Sequence, residues 1–457
     1  MFAAVNPSRV AAPVVATRRG VPGRGRRILA TPRAADASSS EKGGALKEAP
    51  DGAPSVAAPS GRPRVVILGG GFGGLYTALR LDALTWPDGS SKPEVVVVDR
   101  SDRFVFKPML YELVNETLEE WEVAPTFDDL IAAAPSVAFR RGSVKNVEPA
   151  EVMAMTDGSV GSSGGGEVVL ADGSRVPYDY LVVAVGTAAT DANVRGAKEH
   201  AIPLSTLEDA RRLAGAMREI ESRAAAGARG RVAVVGGGLA GVELAGIVAE
   251  RLKGAADVEL MASAAGLMAT SPGGQRAAAV KTLEAAGVKV REGVRATRVA
   301  APQDVTAVSP YGASLTLESR AAAGPDSELV TATEDFDVVC WAVGQRVESP
   351  EAWPFPRDAA SKKIVTDATL RVSGHARVFA IGDVAAATSE ARAEAESTFG
   401  AAPPAAAFPS TAQVAFQQAD YAAWNLWASV GERPLLPFKY QHLGGAAFVE
   451  FSRHRAR

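Results

Sequence analysis

The sequence predicts an α/β fold in which one unit, a buried strand, a glycine turn, a helix and a second strand, occurs twice. Three observations predict it. The apolar run Val65-Val66-Ile67-Leu68 passes directly into Gly69-Gly70-Gly71-Phe72-Gly73-Gly74, then into a helical spacing of Leu75, Ala78, Leu79 and Ala83, and ends on Val95-Val96-Val97-Val98-Asp99. Further on, Val232-Ala233-Val234-Val235 leads into Gly236-Gly237-Gly238-Leu239-Ala240-Gly241, a helix through Leu244 and Val248, and a strand near Val258 to Met261. Short, continuous apolar runs rich in β-branched residues read as buried strands, and strands that alternate with helices lie parallel in a sheet.

The chain before the first unit has a different character. Residues 1 to 35 hold seven Arg and no acid, among Ala, Val, Pro and Gly. This pattern reads as an organelle transit peptide, for which the chloroplast is the expected compartment and the mitochondrion the alternative. An Ala-, Pro-, Gly- and Ser-rich linker follows and ends near Pro63. The formal charge is −3 for the whole chain and therefore about −10 without the basic segment, which argues against a nucleic-acid partner.

Each glycine turn stands between a strand and a helix, the context in which G-x-G-x-x-G marks a Rossmann-like dinucleotide-binding unit. Gly69 and Gly236 permit the tight turn, Gly71 and Gly238 let the backbone approach a pyrophosphate, and Gly74 and Gly241 let helix and sheet pack closely, with Phe72 and Gly73 inside the first turn. The helix N-terminus adds positive partial charge. Asp99 closes the second strand, where it can accept hydrogen bonds from an adenosine ribose. At the same place the second unit reads Met261-Ala262-Ser263-Ala264, without an acid. A carboxylate there would repel a 2′-phosphate, so NADPH is expected to be accepted, or even preferred, as the alternative to NADH. Arg276 is the nearest downstream cation.

Between the units, strand-like pieces with a turn at Ala171-Asp172-Gly173-Ser174 lead to Leu181-Val182-Val183-Ala184-Val185 and Gly186. A similar strand, Val338-Val339-Cys340-Trp341-Ala342-Val343, ends at Gly344, and Val378-Phe379-Ala380-Ile381 ends at Gly382-Asp383. Residues from about Ala385 to Ala407 read as a surface insertion without chemistry. A helix then begins near Ser410 and runs through Val414, Phe416, Tyr421, Trp424 and Trp427, whose later aromatics are expected in the core. Cys340 is the sole cysteine, which excludes a disulfide framework, a thiol redox pair and a Cys-rich metal site; no metal is expected. No apolar run reaches the roughly 18 to 20 residues needed to span a bilayer, so membrane contact is expected to be peripheral.

Beyond the glycine turns, Asp102-Arg103-Phe104-Val105-Phe106-Lys107-Pro108-Met109-Leu110-Tyr111-Glu112-Leu113 and Thr411-Ala412-Gln413-Val414-Ala415-Phe416-Gln417-Gln418 resemble the type II NAD(P)H:quinone oxidoreductases, most closely their organelle-targeted plant and algal C-type class. The resemblance runs from about Arg64 to Gly444. It implies a pyridine nucleotide-disulfide reductase-like fold with FAD in the first unit and NADPH or NADH in the second. It also implies hydride transfer from nicotinamide to flavin, then two electrons to a membrane quinone of plastoquinone, ubiquinone or naphthoquinone type, without proton pumping. Lys107 and Pro108 would lie near the flavin, Asp383 would hold its ribityl chain, and Thr411 and Ala412 would open the helix beside it. Glu243, Gln413 and Gln417 would shape the nicotinamide and quinone pocket. Glu243 also reads as a first-turn carboxylate favourable to the helix dipole.

The expected division is a transit and linker region at 1–60, FAD-binding segments at 61–205 and 347–430, and an NAD(P)H-binding domain at 206–346. Relatives of this type continue into membrane-resting helices, whereas residues 431–457 end in Phe451-Ser452-Arg453-His454-Arg455-Ala456-Arg457, so the segment reads as truncated. That end keeps a second reading open, a flavin-binding protein with impaired turnover serving as a structural or lipid-droplet component. A ferredoxin or rubredoxin reductase on the same fold is the third. A homodimer is possible within the resemblance.

Overall fold

The computed structural model describes residues 61–87, 92–155, 160–263, 265–269, 271–303, 308–320, 328–387 and 408–441. The expected transit and linker region (1–60), most of the expected insertion (388–407) and the basic chain end (442–457) lie outside the described residues.

The first unit consists of β1 (Arg64–Leu68), α1 (Phe72–Ala83) and β2 (Glu94–Asp99), followed by short helices α2 (Leu110–Val114) and α3 (Glu120–Val123), β3 (Val137–Arg141) and β4 (Tyr180–Val183). The second has α4 (Leu207–Ala225), β5 (Gly230–Val235), α5 (Leu239–Arg251), β6 (Ala256–Met261), α6 (Gly273–Ala285), β7 (Lys289–Arg291) and β8 (Val338–Trp341). The chain then returns to the first sheet through β9 (Val378–Ala380) and ends its described part with α7 (Ala412–Val430) and the residues after it. The first sheet has the order β9-β4-β1-β2-β3, and the second places β8, β5, β6 and β7 side by side after Ile202–Pro203. All these pairs are parallel.

Both sheets are covered on both faces, which explains the unbroken apolar runs. Val65 and Ile67 face α1 and α7, while Val66 and Leu68 face a small antiparallel sheet built from Val144–Pro149, Gly166–Leu170 and Arg175–Tyr178. Val232 and Val234 likewise face α4 and α5, and Ala233 and Val235 face Leu315, Leu317 and Phe336 of another antiparallel sheet. Each such buried Val, Ile or Leu side chain contributes about 1.5–3 kcal/mol.

The stretch after β2 does not stay with its own sheet. Leu110, Val114 and Val123 are buried in one core with Leu213 and Met217 of α4 and Val242 and Val248 of α5. Ion pairs fasten the same stretch. Arg251, its side chain only 7 % exposed, donates to Val114 O, to both Glu221 oxygens at 2.9 and 3.1 Å, and to Glu116 at 3.1 Å. Arg211 grips Glu120 at 2.7 Å, and Arg218 bonds Glu116. The excursion of the first unit therefore forms part of the second unit's core.

Two expectations need correction. Ala385–Ala387 form a strand parallel to Ile364–Thr366, so the insertion cannot begin at Ala385. Trp424 is 40 % exposed. Helix α7 packs on α1 through its small residues, Ala419, Ala422 and Ala423 with Leu426, which lets the two helices approach closely and leaves Trp424 outside against Trp427. No described helix is long and apolar enough to cross a membrane.

Candidate functional site

A cavity of about 1400 Å³ lies at the C-terminal ends of the parallel strands and is lined from both units. Ligands of open α/β sheets bind at that edge. Gly69, Gly71, Phe72, Gly73 and Asp99 line it from the first unit, Gly238 and Glu243 from the second, and Gly186, Gly344, Gly382 and Asp383 from the returning strand ends. Lys107 and Pro108 are exposed on it, and Thr411, Ala412 and Gln413 reach it from the start of α7. Gly74, Gly236, Gly241 and Gln417 do not line it.

The non-lining glycines hold the turns together. A Cβ on Gly74 would come within 1.8 Å of Gly69 O, and one on Gly241 within 1.8 Å of Gly236 O, so helix and strand could not meet with any larger residue. Gly71 and Gly238 pose the opposite case. Both have ordinary extended backbone, φ −70° and −75°, and a Cβ on either would meet nothing within 4 Å. No described protein atom requires glycine there. Space for a close-lying pyrophosphate does, and both turns fit one.

Asp99 is already engaged, accepting from Gly70 N at 2.7 Å and Ser101 N at 2.8 Å, so it ties the glycine turn to the strand end. Asp383 accepts from the Thr187 hydroxyl at 3.2 Å, and that hydroxyl is equally close to Gln345 Oε1. Gln413 accepts from the Tyr440 hydroxyl at 2.5 Å. Gln417, one helical turn later, spends both amide atoms on the backbone of Gln441, at 2.8 and 2.9 Å.

Two residues that the sequence reading did not single out hold the site. Gln418, 4 % exposed, accepts from Gly382 N at 2.6 Å and fixes the turn that presents Asp383. Its place beside Gln417 in the motif was the available signal, but helix phase decides which amide faces inward. Tyr111 lines the cavity and donates to Glu243. Burial, and after it the charge and hydrogen bond of Glu243, push the Tyr111 hydroxyl well above the ordinary phenol range, so it remains a donor. Gln418→Leu would strand the Gly382 N–H at an expected cost of about 1–3 kcal/mol. Chemical denaturation of parent and variant measures it.

The starts of α1, α4, α5 and α7 all border the cavity, through Phe72, Leu207, Leu239 and Ala412. Unpaired N–H groups and the positive helix end favour anions there. Cys340 is fully buried, and burial pushes its thiol up to about 12, so it offers no thiolate chemistry. Among the described residues no cluster suits a metal ion.

Residues 63–419 match the family model described as pyridine nucleotide-disulphide oxidoreductase. The chain belongs to this family. Within the pyridine nucleotide-disulphide oxidoreductases its relatives are of the type II NAD(P)H:quinone oxidoreductase kind. The chain is 40 % identical over 389 residues to the alternative NAD(P)H-ubiquinone oxidoreductase C1, chloroplastic/mitochondrial, of Arabidopsis thaliana, covering 84 % of this chain and 70 % of that one. It is 36 % identical to the demethylphylloquinone reductase NdbB of a Synechocystis species, covering 84 % and 83 %. The structure of NDH2 from Plasmodium falciparum in complex with NADH shares the fold, with a TM-score of 0.63 at 18 % identity, over 83 % of this chain and 87 % of that one. This family member has a single, buried cysteine, so the disulphide chemistry in the family's title is not open to it.

Proposed function

We propose that the protein is an NAD(P)H:quinone oxidoreductase with FAD as its relay, the first glycine turn holding the flavin and the second the reduced nicotinamide dinucleotide. The observation that carries this is one cavity reached by two glycine turns, each with a glycine whose only evident reason is an approaching ligand. FAD held there would supply two-electron chemistry between a reduced nicotinamide and a quinone. The flavin segments are 61–205 and 347–430, and 206–346 is the nucleotide domain.

The side chains act by placement and charge. Gly71 and Gly238 admit the pyrophosphates, and Asp383, fixed through Gln418 and Thr187, meets the flavin's polar chain. The first turn of α7, at Thr411 and Ala412, turns its positive end to the cavity, where it would favour negative charge on a bound flavin. Lys107 and Pro108 close the cavity from the α2 side. Glu243, oriented by Tyr111, faces the nicotinamide, and Gln413 with Tyr440 borders the acceptor. Gln417 acts one step removed, by anchoring Gln441.

The acceptor is a membrane prenylquinone met at a membrane surface, in a plastid or mitochondrion, without proton pumping. The relatives' names support the quinone, and the first relative's name and the basic segment at residues 1–35 support the compartment. Steady-state assays of the flavin-loaded chain with NADH or NADPH against short-chain plastoquinone, ubiquinone and naphthoquinone test the proposal. Parallel double-reciprocal lines are expected, because one cavity serves donor and acceptor in turn. Turnover with ferredoxin but with no quinone would reject it.

A further inference from the structure

Register fixes which residue of the second unit stands where Asp99 stands in the first. Gly69 N donates to Val98 O at 2.8 Å and Gly236 N to Met261 O at 2.9 Å, so Ala262 is the counterpart of Asp99. Ala262 is fully buried, and its Cβ lies 2.6 Å from where a Cβ on Gly237 would be, so the place is filled without a carboxylate.

A carboxylate stands close by all the same, supplied by the next strand. β7 pairs in parallel with β6 and leads into Glu292, whose Oε1 accepts from Leu267 N at 2.8 Å and lies 3.2 Å from a Cβ position at Gly266. The loop that receives it is folded onto the second glycine turn. Met268 N donates to Gly237 O at 2.7 Å, and Gly266 O is 3.2 Å from a Cβ position at Gly237. The exposed Glu292 thus stands beside the loop that is folded onto that turn. Neighbouring cations are occupied elsewhere: Lys289 and Arg291 pair with Glu259, Arg291 also with Glu334, and Arg276 donates to Ala269 O at 3.1 Å.

We infer that Glu292 is the residue that discriminates between the two nicotinamide dinucleotides, its charge opposing a 2′-phosphate at the second turn. The inference rests on the reading that this turn binds NAD(P)H. A 2′-phosphate brings close to two negative charges to a rim where Glu292 forms no ion pair among the described residues, whereas a 2′-hydroxyl meets an acceptor. NADH is thereby favoured over NADPH although the strand end itself carries no acid.

Titration calorimetry of the flavin-loaded protein with ADP and with adenosine 2′,5′-bisphosphate tests this directly, without turnover. Glu292→Gln keeps an acceptor for Leu267 N and removes the charge; Glu292→Lys reverses it. The Gln variant should raise affinity for the bisphosphate relative to ADP by about tenfold, and the Lys variant by more, with ADP itself changed by less than about twofold. The ratio of kcat/KM for NADPH over NADH should move the same way. An unchanged ratio in both variants would overturn the role of Glu292 while leaving NAD(P)H binding intact. Binding of neither ADP nor NADH to any of the three proteins would overturn the nucleotide reading of the second turn, and the inference with it.

Discussion

Gly71→Val is expected to yield a protein that folds like the parent apoprotein and carries no flavin, while Gly238→Val keeps its flavin and loses reduction by NAD(P)H. The backbone at both positions is extended and ordinary, and a Cβ on either meets nothing within 4 Å, so the first carbon of a valine side chain finds open space. Its methyl groups would stand where a pyrophosphate must approach the turn. A loss of at least about a hundredfold in affinity, roughly 2.7 kcal/mol, is expected at the altered site only. Gly74→Ala supplies the contrast, since its Cβ would fall 1.8 Å from Gly69 O and damage the fold itself. Flavin content by absorbance, with melting of the flavin-free proteins, checks the pattern. Full flavin occupancy in Gly71→Val would remove the argument that this glycine exists for a ligand.

Arg251→Met should destabilise the protein by about 1–3 kcal/mol, because Val114 O loses a charged donor in the core while the Glu221 and Glu116 carboxylates, both partly exposed, fall back on water. Val114 O and the Glu221 carboxylate would each lose their Arg251 donor, whereas Glu116 retains Arg218. Since Arg251 fastens the excursion of the first unit to α5, the variant should also unfold less cooperatively, with flavin release preceding the loss of helix signal. Urea unfolding followed by flavin fluorescence and circular dichroism together measures both effects. Coincident transitions with a loss below about 1 kcal/mol, the size of an exposed pair, would show that the clamp is decorative.

The paired units were legible because fully buried parallel strands need unbroken apolar runs and because the turns that receive dinucleotides need glycine at fixed spacing. Val65 to Asp99 and Val232 to Met261 satisfy both conditions locally. The clamp was not legible: Arg251, Glu116 and Arg211 are ordinary helix-surface residue types, and only the folded chain brings them onto the excursion after β2. The same holds for Gln418, which differs from Gln417 in helix phase alone, and for Asp99, whose carboxylate is spent on Gly70 and Ser101 as well as on any ribose. The missing acid at Ala262 was visible in the sequence. Glu292 was not, because a carboxylate delivered from the neighbouring strand leaves no signature at the strand end it serves. The exposure of Trp424 follows from the alanines opposite α1, a pattern that hydrophobicity alone reads as core on every side.

In the proposed reaction one flavin would relay electrons from NAD(P)H to a quinone within a single cavity. The most direct measurement is an anaerobic titration of the flavin absorbance of the purified chain, first with NADH or NADPH and then with a soluble short-chain quinone. Bleaching by the nucleotide and full recovery with one equivalent of quinone is the predicted result. A flavin that bleaches but recovers only when oxygen is admitted would contradict quinone turnover, and a chain that holds no flavin would contradict the account as a whole.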